Sequence, residues 1–186
     1  MVSANANPSF AIAHGILMSL AVLIWFPLGV FLLRLLKIKH TVRWHAMWQS
    51  IGLAILLSGT GFGGLLSQKS NSSESHVLLG AVIVVLFLLM PVIGWFHHKH
   101  FAATGTKDFK SPLHVWGGRI LLLLALANGI TGLQLSKEKK LVYVVYGVIA
   151  AVCVVVYAGM LWLKKRALAT DIAERETEMH ECVQRA

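Results

Sequence analysis

Charged side chains are missing from five long stretches of the chain, residues 1–33, 45–68, 77–96, 120–136 and 141–163, and each stretch is dominated by Leu, Val, Ile, Ala and Gly. A helix needs about 20 apolar residues to cross the hydrocarbon core of a bilayer. The pattern therefore predicts five transmembrane helices, near residues 9–36, 43–67, 76–97, 112–135 and 141–164. The fourth stretch is the shortest, but it extends backward through residues 112–118 with only Arg119 interrupting, and Arg119 must snorkel or find a partner. The predicted loops are short: 68–75, 98–111 and 136–140. Short loops force antiparallel neighbours, so the fold class predicted is all-α and polytopic, a five-helix up-and-down transmembrane bundle. Residues 1–8 are read as an N-terminal tail, 9–165 as the membrane domain and 166–186 as a tail into which the fifth helix runs on.

Composition agrees with a membrane class: 56% of residues are hydrophobic and 13% charged, less polar than a soluble domain of this size. The formal net charge of +9 raises nucleic acid as a partner, and its distribution argues against one. With the N-terminus outside and the C-terminus cytosolic, 13 basic residues fall inside, and only Lys69, Lys137, Lys139 and Lys140 fall outside. That positive-inside bias accounts for most of the charge without a polyanion.

The two cysteines, Cys153 mid-helix and Cys182 in the tail, supply no disulfide framework. No basic n-region and no small-residue cleavage site precede the first helix. An outside N-terminus then requires either unassisted crossing of the uncharged tail or an upstream extracellular domain, and the second is the favoured reading. Asn71-Ser72-Ser73 has the form of a glycosylation acceptor, but its loop hugs the membrane and its use is not expected.

Histidine carries the chemistry. His14, His45, His76 and His114 open four successive apolar stretches, at steps of 31, 31 and 38 residues. In an up-and-down bundle this places His14 with His76 near one membrane face and His45 with His114 near the other. An ionisable side chain within a membrane span suggests a functional site, and facing imidazoles in a bundle core are how b-type haem iron is held. The bland reading is that each histidine caps a helix end; one per helix, matched in depth by pairs, favours ligation. Zinc is the next alternative, but it wants four ligands at one point, and two separated pairs fit haem better.

Glycine supplies flat space beside a ligand. Gly80 and Gly118 each follow a histidine by four residues on the same helical face. Gly15 adjoins His14, and Gly59, Gly61, Gly63, Gly64, Gly129 and Gly132 surround the outer pair; close helix packing explains any single one of them equally well. His97, His98 and His100, with Lys99 and the first-loop His40, read as a cationic interfacial collar. A sharper reading has Arg34, Arg43, His97, His98, Lys110 and Arg119 contacting haem propionates or an anionic reductant at the inner mouth. Bis-histidine iron keeps no open coordination position, which points to outer-sphere electron transfer rather than oxygen chemistry.

These residues resemble the eukaryotic cytochrome b561 family, in particular the membrane core found fused to extracellular DOMON domains. The resemblance runs through Ala13-His14-Gly15-Ile16-Leu17-Met18, Trp44-His45-Ala46-Met47-Trp48-Gln49 and His76-Val77-Leu78-Leu79-Gly80. It continues through Pro91-Val92-Ile93-Gly94-Trp95-Phe96-His97-His98, His114-Val115-Trp116-Gly117-Gly118-Arg119 and Asn128-Gly129-Ile130-Thr131-Gly132-Leu133, covering roughly residues 10–165. It implies two haem b groups, the outer held by His14 and His76 and the inner by His45 and His114. It also implies electron flow from cytosolic ascorbate to an outer acceptor such as monodehydroascorbate, a ferric chelate or a fused DOMON-type redox domain, in the plasma membrane or an endomembrane. The chain departs from the six-helix ascorbate reductases in having five helices and no recognisable luminal ascorbate pocket.

The leading reading is thus a transmembrane electron conduit, with an oxidoreductase activity of the ascorbate-dependent ferric or monodehydroascorbate reductase type left open. The alternative is a membrane anchor for an extracellular domain with haem mainly structural, and a histidine-lined metal permease is the third. The partners implied are membrane lipid, the cytosolic donor, the outer acceptor or domain and a second copy of the chain as a candidate homodimer, with no nucleic acid.

Overall fold

The computed structural model describes residues 8–35, 39–67 and 74–185. Among them all regular structure is helical, and five helices are long and apolar enough to cross a membrane. Helix α1 is built from Pro8–Ser19, a π-helical turn Leu20–Trp25 and Phe26–Leu35; α2 spans Thr41–Ser67, α3 Ser75–Thr104, α4 Lys110–Ser136 and α5 Lys140–Arg185. The chain forms two compact units, Met1–Tyr146 and Gly147–Ala186. The first contains α1 to α4 and the opening turns of α5. The second is the remainder of α5, helical through Arg185, with an exposed polar end on which Arg175 pairs with Asp171 at 3.3 Å.

Polarity ends an apolar stretch without ending its helix. The third helix, expected to stop near residue 97, continues to Thr104, because nothing in residues 98–104 breaks it. The stop is Gly105, whose φ of 68° is the left-handed conformation that a glycine C-cap adopts, its N–H bonding the Phe101 carbonyl. The loop to α4 shrinks accordingly. Pro112 lies in the first turn of α4, where a missing N–H costs no helical bond.

The π turn in α1 has an identifiable cause. Its widened turn is closed by the Phe26 N–H bonding the Ala21 carbonyl, and Pro27 follows at once. Proline offers no N–H to the carbonyl four residues back, and its ring crowds that carbonyl; Leu23, the residue in question, lies inside the π turn.

Within the first unit α1 packs mainly on α2, and α3 on α4, as two hairpins. The buried apolar residues gather at mid-depth: Ala21, Val22, Leu23 and Phe26 of α1, Leu56 of α2, Ile83, Val84 and Phe87 of α3, and Leu121, Ala125 and Leu126 of α4. Phe26 stacks on Phe87 at 4.7 Å and 13° across the two hairpins. Large apolar side chains elsewhere on these helices face outward, including Val82, Val85, Leu123 and Ile120, as a surface that meets lipid requires.

Candidate functional site

Each of the four histidines points at a backbone carbonyl of its hairpin partner. His14 Nδ1 lies 2.8 Å from the Gly59 oxygen, His45 Nδ1 3.2 Å from the Gly29 oxygen and His76 Nδ1 3.0 Å from the Asn128 oxygen. His114 faces the Met90 carbonyl, its buried Nδ1 short of a closed hydrogen bond. A carbonyl only accepts, so an Nδ1 bonded to one carries the hydrogen and leaves the Nε2 lone pair available to a metal.

The contacts are reciprocal, His14 with Gly59 and His45 with Gly29, which makes α1 and α2 antiparallel; His76 with Asn128 and His114 with Met90 do the same for α3 and α4. They are also periodic. The accepting residue follows the helix's own histidine by fourteen places in α2, α3 and α4, and by fifteen in α1, whose π turn inserts the extra residue. At about 1.5 Å per residue the two histidine levels lie about 21 Å apart along the helices.

Glycine makes these carbonyls reachable. In a helix the carbonyl of residue i points toward residue i+4, whose Cβ leans back over it. Gly63, Gly94 and Gly132 stand four residues after the acceptors Gly59, Met90 and Asn128. A Cβ on them would lie 2.8 Å from His14 Cε1, 2.9 Å from His114 Cε1 and 2.7 Å from His76 Cε1. The same device holds two tryptophans face to face. Trp25 Nε1 donates to the Trp48 carbonyl at 2.8 Å and Trp48 Nε1 to the Trp25 carbonyl at 2.9 Å, with the rings stacked at 4.3 Å. Here Gly52 and Gly29 are the residues four places on, and a Cβ on either would strike the partner indole.

Across the hairpins, the His14 and His76 rings lie 6.1 Å apart between centroids and nearly perpendicular, at 84°. His45 and His114 are close enough to interact electrostatically at the other level. Each level thus draws one histidine from each hairpin. Among the described residues no group of three or more His, Cys, Asp or Glu side chains converges on one point. The pairs suit a metal that brings its remaining ligands with it.

Of the other glycines singled out in the sequence, Gly15, Gly61, Gly64 and Gly118 have open space where a side chain would stand, while Gly80 lies against the Asn128 amide. Gly59 packs on Met18 and Leu17, and Gly129 makes way for the Tyr146 hydroxyl, which donates to the Leu126 carbonyl.

The described cationic residues each have their own neighbours. Arg43 and His98 are exposed, and Arg119 lies over the Trp116 ring at 4.4 Å, the partner its depth demanded. Lys110 is ion-paired with Asp108, whose carboxylate lies 3.9 Å from His97 Nδ1 and accepts the Lys110 backbone N–H at 3.1 Å. Asp108 thereby stands at the N-terminus of α4, where a negative charge is favoured. The Lys110 ammonium, first among its neighbours, holds that carboxylate below its ordinary range. His97 also acts electrostatically on His114. The Arg34 side chain, Lys37, Lys69 and the Asn71-Ser72-Ser73 acceptor lie outside the described residues.

No family model, curated protein or solved structure matches the chain.

Proposed function

We propose that this chain is a di-haem transmembrane electron conduit of the cytochrome b561 type, N-terminus outside and C-terminus cytosolic. The observation that carries the reading is the pairing of imidazoles at two levels with their Nδ1 atoms turned to carbonyls. Two imidazoles that share a metal through bonds of about 2.0–2.1 Å bring their centroids about 6 Å apart, and the His14 and His76 rings, at 6.1 Å, fit that separation. His14 and His76 would hold the outer group, and His45 and His114 the inner. Haem b held at these positions would supply one-electron exchange.

The protein's own part is to fix the ligands and keep the path dry. Carbonyls of the partner helix orient the imidazoles, glycines admit them, and the apolar layer around Phe26 and Phe87 excludes water between the levels. The basic residues at the ends of α1, α2, α3 and α5 support a cytosolic inner face, from which ascorbate would deliver electrons to an outer acceptor or DOMON-type domain.

The test is reconstitution. Purified chain made with adequate haem supply should carry two haems by pyridine haemochrome assay, and vesicles loaded with ascorbate should reduce external ferricyanide. Haem at a ratio near one, or none, overturns the di-haem reading. Two haems without transmembrane reduction leaves the anchor in its place.

A further inference from the structure

Three residues after each accepting carbonyl stands Leu32 in α1, Phe62 in α2, Ile93 in α3 and, alone in being polar, Thr131 in α4. His76 Nδ1 therefore has two acceptors, the Asn128 carbonyl at 3.0 Å and Thr131 Oγ1 at 3.2 Å. The hydroxyl spends its own hydrogen on Asn128, whose backbone and side-chain oxygens lie 2.8 and 2.9 Å away, so a lone pair is left for the imidazole N–H. Asn128 is buried and closes the ring by donating from Nδ2 to the His76 carbonyl at 3.3 Å. At His14 and His45 the Nδ1 atom meets a backbone carbonyl, of Gly59 and of Gly29.

We propose that the Thr131 hydroxyl is a positioning group that makes His76 a more electron-rich ligand than the other three histidines, and so sets the potential of the His14/His76 site below the value its iron would otherwise have. This rests on the di-haem reading. Acceptors at Nδ1 draw the ring hydrogen away and push electron density toward Nε2, which favours the oxidised metal. The site facing the proposed acceptor becomes the better reductant. The competing role for Thr131 is a helical hydroxyl bonded to its own turn, which would leave the potential unmoved.

The experiment is a spectroscopic redox titration of the full haem-loaded chain as wild type, Thr131→Val and Thr131→Ser, with the component of this site assigned as the one His76→Ala removes. Thr131→Val is expected to raise the midpoint potential of that component and leave the other in place, and Thr131→Ser to restore the wild-type value. Unmoved potentials in Thr131→Val, or an equal shift in Thr131→Ser, overturn the proposal. Should Thr131→Val lose the haem, Thr131→Ala repeats the removal without the branched carbon; loss there too, with retention in Thr131→Ser, overturns tuning and leaves positioning alone. A wild-type chain that binds no haem overturns the reading beneath the proposal instead.

Discussion

His45 Nδ1 meets the Gly29 carbonyl at 3.2 Å although Gly29 stands one residue farther from His14 than the matching acceptors stand from their histidines in the other three helices. The extra residue belongs to the π turn Leu20–Trp25. In a regular helix of the same residues Gly29 would be turned by about 100° around α1, away from His45. The turn also brings Trp25 to Trp48, so one widened turn serves both contacts between the lower halves of α1 and α2.

Deleting the outward-facing Ile24 should therefore remove the widened turn, leave Gly29 fourteen places after His14 as in the other helices, and keep both levels in register. The expected outcome is a chain that keeps both the component assigned to His14 and His76 and the one assigned to His45 and His114, read by redox titration. Loss of the second component with the first intact would mean that the His45 level needs the widened turn itself.

The glycines beside the imidazoles are expected to resist substitution where others accept it. Gly63→Ala, Gly94→Ala and Gly132→Ala each place a carbon within 2.9 Å of a histidine ring. Overpacking of this kind costs about 1–3 kcal/mol, against a gain of about 1 kcal/mol from replacing a helical glycine. Gly159, with nothing within 4 Å, keeps only the gain. Thermal unfolding in detergent should rank the three variants below wild type and Gly159→Ala at or above it.

Ligand substitutions should sort by level and not by hairpin. His14→Ala and His76→Ala are expected to remove one redox component, and His45→Ala and His114→Ala the other, because the rings at one level come from different hairpins. If His14→Ala and His45→Ala abolish the same component while sparing the other, the pairing is within hairpins and the assignment by depth fails.

Acid sensitivity should trace to Asp108. Its carboxylate is held low chiefly by its hydrogen bond to Lys110. A folded pKa below the unfolded one contributes stability that is present above the ordinary carboxylate value of about 3.9 and is lost as pH falls from there through the lower folded value. Asp108→Asn should lower the unfolding temperature near neutrality and flatten its decline below pH 4, the two curves drawing together in acid. Parallel curves would show that Asp108 stands outside the acid transition.

Five apolar helices, their number and approximate extent were legible in residue type alone, since crossing hydrocarbon demands uninterrupted apolar length, and that demand leaves a mark no loop imitates. The four histidines were legible for the same reason: an imidazole inside such a stretch is costly and so conspicuous. Helix ends were less so. Charge at residues 98–104 marks where the apolar stretch stops, while the helix itself ends at Gly105, where backbone geometry and not polarity decides.

What surrounds the histidines was written in the sequence in a form that could not be read without the fold. A glycine eighteen residues after His45, His76 and His114 is a repeat visible in the letters, yet its meaning depends on which carbonyl it uncovers and which helix supplies the ring. Asn128 and Thr131 lie 52 and 55 residues from His76, and Asp108 reaches His97 only across the turn after α3. Hydrophobic length is a property of one segment at a time, so the sequence alone determined it. Hydrogen bonds between segments depend on the rotation and depth of two helices together, down to the single residue added by the π turn, and only the tertiary structure decides those.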